Sequence, residues 1–189
     1  MKSEKITAII LAGGASRRMG NQDKAWSDYN GKPMIQHVID TIGTQVDHII
    51  ISCSQNSQRF QSLPYPYCID MEPGFQGPLT GIASCATYVN TDHVFVVPCD
   101  MPLLPSDIVQ RLKETLGNNL MAIPNDGARN QHLVFLCKTQ VIDSIIYYLS
   151  SGKKSVNRWV SGQSPVIADF SADAEAFLNV NTRVQLCWD

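Results

Sequence analysis

The chain has 189 residues, enough for one domain with a sizeable core. Hydrophobic residues make up 44%, charged residues 17% and aromatic residues 8%, a globular composition that excludes disordered and collagen-like chains. Fifteen Lys plus Arg against seventeen Asp plus Glu give a formal charge of -2, without the basic excess that non-specific nucleic-acid binding draws on, so any positive site is local.

Residues 2–14 are the only stretch resembling a signal peptide, but the apolar run 6–12 is of minimum length and Glu4 occupies the would-be basic region. A buried first strand is expected instead. Ser16-Arg17-Arg18 follow this run, whereas in a twin-arginine export signal the arginines precede it. Helical periodicity comes next at Met34, Ile35, Val38, Ile39 and Ile42, then β-branched runs at 48–53 and, more briefly, near Cys68. Beyond these, strands are predicted at 94–98, 121–124, 133–137 and 166–170. Helical stripes are predicted through Ile108, Val109, Leu112 and Leu116 and through Val141, Ile142, Ile145, Ile146 and Leu149. Pro33, Pro105 and Gly31 mark helix starts and turns. Fully apolar strands alternating with amphipathic helices predict an α/β three-layer sandwich with a mainly parallel sheet covered on both faces.

Nothing approaches the roughly 20 apolar residues of a membrane span. Cys53, Cys68, Cys85, Cys99, Cys137 and Cys187 form no Cys-x-x-Cys pair and are read as reduced thiols, so the cytoplasm is the expected location.

Ligands of open α/β sheets sit beyond the carboxyl ends of the strands. Gly13 and Gly14 follow the first strand and let backbone N–H groups approach a phosphate or base edge. Arg17, Arg18 and Lys24 add three cations within eight residues, which suits a triphosphate. The segment is not a Walker A loop: Gly14 and Gly20 enclose five residues rather than four, and Asn21 stands where Lys would be. Asp100 emerges past the 94–98 strand as a natural Mg²⁺ ligand, since Mg²⁺ needs only one or two carboxylates plus phosphate oxygens. Its alternative is a turn-capping aspartate before Pro102 and Pro105; Asp70, a weaker candidate, is open between a functional contact and plain turn chemistry at a strand end. His37, His48 and His93 are read as surface or cap residues, Cys99 as a small residue packed at a strand end, and Lys153-Lys154 with Arg158 as a solvated helix face.

Leu11-Ala12-Gly13-Gly14-Ala15-Ser16-Arg17-Arg18-Met19-Gly20 followed by Asp23-Lys24 resembles the signature of the molybdenum cofactor guanylyltransferases. The resemblance runs on through Gly31-Lys32-Pro33, Gly77-Pro78-Leu79-x-Gly81, Pro98-Cys99-Asp100-Met101-Pro102 and Phe177-x-Asn179-Val180-Asn181-Thr182, covering nearly the whole chain. Other nucleotidyltransferases share the first and the Asp100 blocks, whereas the Asn-Val-Asn-Thr block is particular to the molybdopterin branch.

The resemblance implies a Rossmann-like nucleotidyltransferase fold in a single domain, 1–189, with a nucleotide-binding part at about 1–100 and a cofactor-binding part at about 101–189. It implies transfer of GMP from Mg-GTP to the terminal phosphate of molybdenum-molybdopterin, with release of pyrophosphate and with Mg²⁺ as cofactor. By the same resemblance Leu11, Ala12, Gly13, Gly14, Lys24, Ser52, Asp70 and Asp100 contact GTP, Asp100 holds Mg²⁺, and Arg18, Lys24 and Asp100 are catalytic. Asn179, Asn181, Gly77 and Pro78 contact molybdopterin, the amides matching the mixed donor–acceptor edge of a pterin. Molybdenum-insertion proteins and apo-molybdoenzyme chaperones are the implied partners, with neither nucleic acid nor membrane. Three positions depart from the pattern: Ser52 where Asn is frequent, His132 where Pro is common, and Arg183 where Pro-Glu is usual. The alternatives are a cytidylyl- or sugar-nucleotide transferase of the same fold, which leaves Asn179 and Asn181 without a task, and a non-enzymatic cofactor carrier.

Overall fold

Every residue of β1 (Ile6–Leu11) is buried, which a strand achieves only when neighbours flank both edges and helices cover both faces. The computed structural model describes residues 4–13, 24–53, 58–69 and 77–178 and supplies those neighbours. A two-stranded hairpin, β2 (Asp28–Tyr29) and β3 (Lys32–Pro33), leads into α1 (Met34–Ile42), and β4 (His48–Cys53) follows. α2 (Gln58–Gln61), β5 (Tyr67–Ile69), α3 (Pro78–Ala86) and β6 (His93–Pro98) complete the first half. α4 (Ile108–Leu116), β7 (Met121–Asn125), β8 (Phe135–Lys138), α5 (Asp143–Ser150), α6 (Val156–Gly162) and β9 (Val166–Asp169) complete the second. A 3₁₀ segment, Ser171–Phe177, comes after β9.

The main sheet has the order β5-β4-β1-β6-β8-β7-β9. β1 pairs in parallel with β4 and β6, and β7 with β9, while β8 runs antiparallel to both its neighbours. The sheet is mainly parallel, as the fully apolar strands require, and β8 is the one reversed strand among the described residues. Strand alternation sorts the core into two layers. Ala8 and Ile10 face α1 and α4 through Ile35, Val38, Ile42, Ile108 and Leu112. Ile9 and Leu11 face α3, α5 and α6 through Leu79, Ile82, Ile145 and Trp159. Full burial of each such aliphatic side chain contributes about 1.5–3 kcal/mol.

Several expectations need correction. The stripe predicted through 141–149 divides into a 3₁₀ turn at Thr139–Val141 and α5; Ile145 is buried, but Ile146 is exposed. β9 is an edge strand, so Ile167 faces solvent rather than a covering layer. His93 is not a surface residue: it opens β6 and is buried, because the sheet's central strands are covered even at their amino ends. α3 shows little amphipathic contrast in sequence: it packs on the sheet through Leu79, Ile82 and Cys85, but Thr80, Gly81 and Ser84 between them are buried too. Its start is fixed by Gly77, at φ 102°, followed by Pro78 in the first turn.

Candidate active site

In chain order β4 and β5 are laid down on one side of β1 and β6 on the other, so the strand order reverses between β1 and β6. Such a reversal leaves a crevice at the carboxyl edge, because the following loops diverge to opposite faces. The registers Leu11↔Ser52 and Leu11↔Pro98 bring three strand ends level there. Two hydrogen bonds hold them past the last ladder positions: the Ala12 N–H donates to the Ser52 carbonyl (2.7 Å) and the Cys99 N–H to the Leu11 carbonyl (3.0 Å). Leu11, Ala12 and Ser52 are buried and Gly13 is exposed, so the first strand surfaces at its glycine.

Asp100 lies two residues past β6, and Lys24 lies on the 3₁₀ turn Lys24–Trp26. The Lys24 ammonium donates to Asp100 Oδ2 in an ion pair whose side chains are only 23% and 15% exposed. Neighbouring residues fix the turn. Ala25 is fully buried, Trp26 packs on Phe60 at a centroid distance of 5.4 Å, and the Met34 N–H donates to the Ser27 carbonyl (3.0 Å). The second carboxylate oxygen, Asp100 Oδ1, is buried and has no hydrogen-bond partner among the described residues. A buried carboxylate oxygen without a partner carries a large desolvation cost, which a cation at that position removes. Among the described residues no group of three or more His, Cys, Asp or Glu could hold a metal. A single carboxylate with substrate phosphates is the donor set Mg²⁺ accepts.

The sequence-predicted site therefore assembles in part. Leu11, Ala12, Gly13, Ser52, Lys24 and Asp100 meet at the carboxyl edge. Gly77 and Pro78 begin α3, which follows the carboxyl end of β5 and so starts at the same edge. Gly14, Arg18, Asp70, Asn179 and Asn181 lie outside the described residues.

One constellation at this edge escaped the sequence reading. Pro124 has no N–H to extend the β7–β8 ladder, which ends at Ala122↔Leu136, and the chain opens into a polar loop over residues 125–134. Asp126 is buried in it and accepts from the Ala128 N–H (2.8 Å), the Arg129 N–H (2.8 Å) and Gln131 Nε2 (2.5 Å). Burial alone would raise its carboxyl, but the hydrogen bonds and the Arg129 charge prevail and hold it below the ordinary carboxylate value. A Cβ on Gly127 would meet the Ser171 Cβ at 3.0 Å, and the Phe170 N–H donates to the Asn125 carbonyl (2.8 Å), so the loop is seated on the chain beyond β9. The signal was the Asn125-Asp126-Gly127 turn composition.

Residues 8–166 match the MobA-like NTP transferase domain family. Among solved structures, molybdopterin-guanine dinucleotide biosynthesis protein A from Archaeoglobus fulgidus superposes with a TM-score of 0.76 over 95% of this chain and 94% of that one, at 17% identity. 4-Diphosphocytidyl-2C-methyl-D-erythritol synthase from Anaerococcus prevotii gives 0.73 over 97% and 95%, at 11% identity, a likeness of fold alone. The family match defines a nucleotidyltransferase. A curated molybdenum cofactor guanylyltransferase from Shewanella loihica is 40% identical over 97% of this chain and 94% of its own length, and one from Shewanella piezotolerans is 37% identical over 95% and 89%. The chain belongs to the molybdenum cofactor guanylyltransferase family, in the MobA-like NTP transferases.

Proposed function

We propose that this enzyme transfers GMP from GTP to the terminal phosphate of molybdenum-molybdopterin, at the carboxyl edge between β1 and β6. The observation that carries the assignment of the site is the Lys24–Asp100 pair, a cation and an anion held together beside the strand end that surfaces at Gly13. In the reaction an acceptor phosphate oxygen forms a bond to the α-phosphorus of GTP, the α–β bridging bond breaks, and its electron pair leaves with pyrophosphate. That oxygen is already anionic near neutral pH, so no strong base is needed; positioning and charge neutralisation do most of the catalysis.

Within this reading the backbone of Leu11, Ala12, Gly13 and Gly14 lines the nucleotide, with Ser52 and Asp70 as further contacts. Lys24 and Arg18 neutralise phosphate charge, Arg18 on the departing pyrophosphate. Asn179, Asn181, Gly77 and Pro78 receive the pterin. Asp100, through the Oδ1 that has no hydrogen-bond partner among the described residues, is the residue that would hold Mg²⁺, and the ion would offset phosphate charge there. The chain divides by function into a nucleotide part at about 1–100 and an acceptor part at about 101–189. No helix among the described residues is long and apolar enough to cross a membrane. We place the reaction in the cytoplasm, with molybdenum-insertion proteins and apo-molybdoenzyme chaperones as partners for substrate supply and product delivery.

The test follows the label from GTP carrying ³²P at the α-phosphate, incubated with the enzyme, Mg²⁺ and molybdenum-molybdopterin. Label in a guanine dinucleotide of the acceptor is the expected product. Label remaining in GTP, under conditions where GTP binds, would refute the assignment.

A further inference from the structure

We infer that Lys24 stands in for the metal at Asp100, so that a divalent cation and the nucleotide triphosphate bind cooperatively. The inference rests on reading Asp100 as the metal ligand and Lys24 as a phosphate contact. The carboxylate is mostly buried and carries a full negative charge that some cation has to offset. In the structure that cation is the Lys24 ammonium on Oδ2, while Oδ1 is buried and without a hydrogen-bond partner among the described residues. A metal ion arriving alone therefore meets a neutralised carboxylate with a positive charge beside it, and must displace or repel that ammonium.

A triphosphate changes the balance. Lysine is a point charge on a flexible four-carbon stem and exchanges one anion for another without the fixed fork geometry of arginine. Phosphate oxygens draw the ammonium away, and Asp100 is released just as phosphate oxygens become available to complete a metal's coordination. Each ligand then favours the other, and by linkage the coupling is equal in both directions. The Lys24–Asp100 pair also keeps a buried carboxylate from standing without a counter-charge.

The experiment measures Mn²⁺ binding to the full-length protein without nucleotide, by the loss of the free-ion electron paramagnetic resonance signal. Lys24→Met removes the competing charge and should tighten Mn²⁺ by about fivefold or more, the lower end of common coupling factors. Lys24→Arg keeps the charge and should stay near wild type. Lys32→Met, which removes an exposed lysine paired with Asp40, controls for loss of a positive charge and should change the affinity less than about twofold. The tightened binding should vanish in the Lys24→Met/Asp100→Asn double variant. Thermal unfolding establishes that each variant is folded. Wild-type affinity in Lys24→Met, or tightening as large in Lys32→Met, would overturn the inference while leaving Asp100 a ligand. Undiminished Mn²⁺ binding in the double variant would instead overturn the reading of Asp100 itself.

Discussion

The guanidinium of Arg111, on α4, donates to Asp173 Oδ2 at 2.7 Å and to the Asp169 carbonyl at 2.8 Å, and lies 3.6 Å over the ring of Phe170. Phe170 meets Phe177 edge to face at 5.5 Å. One arginine thus fastens the 3₁₀ segment Ser171–Phe177 to the helical layer, immediately before the Asn179-Val180-Asn181 block. Arg111→Met should cost about 1–2 kcal/mol in urea unfolding, since the pair is about one-third exposed and the ring contact adds a comparable amount. It should also raise KM for the acceptor more than it lowers kcat.

Asp126 gives a stability with a defined pH dependence. Its folded-state pKa is depressed, so the protein gains stability above the unfolded carboxylate value of about 3.9 and loses it as pH falls toward the lower folded value. Asp126→Asn should therefore be destabilised relative to wild type near pH 7, by about 1–3 kcal/mol for the lost charge-assisted hydrogen bonds. The gap should narrow below pH 4. Denaturant unfolding of both proteins across this range measures it.

His93 works in the same direction, in a higher pH window. Burial pushes its imidazole below the ordinary value of 6.5; Lys113 and Lys138 add to that, against Glu4 and Asp92. The Nδ1 atom has no hydrogen-bond partner among the described residues, and Glu4 stands 3.9 Å away. The unfolded chain takes up the proton first, so stability should be full above the ordinary value and fall as pH drops through it toward the folded value. His93→Gln should flatten this part of the stability–pH curve, as read by thermal unfolding between pH 5 and 8.

Asp100→Ala should lower kcat by about 10²-fold or more, the scale of losing one electrostatic contact to the developing charge. The fold should survive, because the carboxylate lies past the end of β6 and its ion pair is with Lys24 at the site. Retention of the wild-type circular dichroism spectrum together with lost turnover is the expected pair of results.

Apolar strands such as Ile6–Leu11 and His48–Cys53, and the stripes of Ile35-Val38-Ile42 and Ile108-Leu112, were legible because burial on both faces leaves no alternative pattern. The reversed direction of β8 was not, since a strand covered on both faces has the same composition whichever way it runs. α3 was hidden because its stripe of Leu79, Ile82 and Cys85 is interleaved with Thr80, Gly81 and Ser84, small or polar residues that are buried as well. Asp100 was legible as a candidate from its place after β6, but its contact with Lys24 spans 76 residues and needed the fold. Asp126 was missed because turn composition states that a chain bends, not that a carboxylate is buried in the bend.

Guanylyl transfer is read out by pyrophosphate release with Mg²⁺, molybdenum-molybdopterin and GTP, CTP, ATP or UTP supplied separately. Acceptor-dependent release with GTP and none with the other three is expected. Release with CTP instead would contradict it and move the protein to cytidylyl transfer on the same fold; silence with all four, despite measurable GTP binding, would leave a carrier.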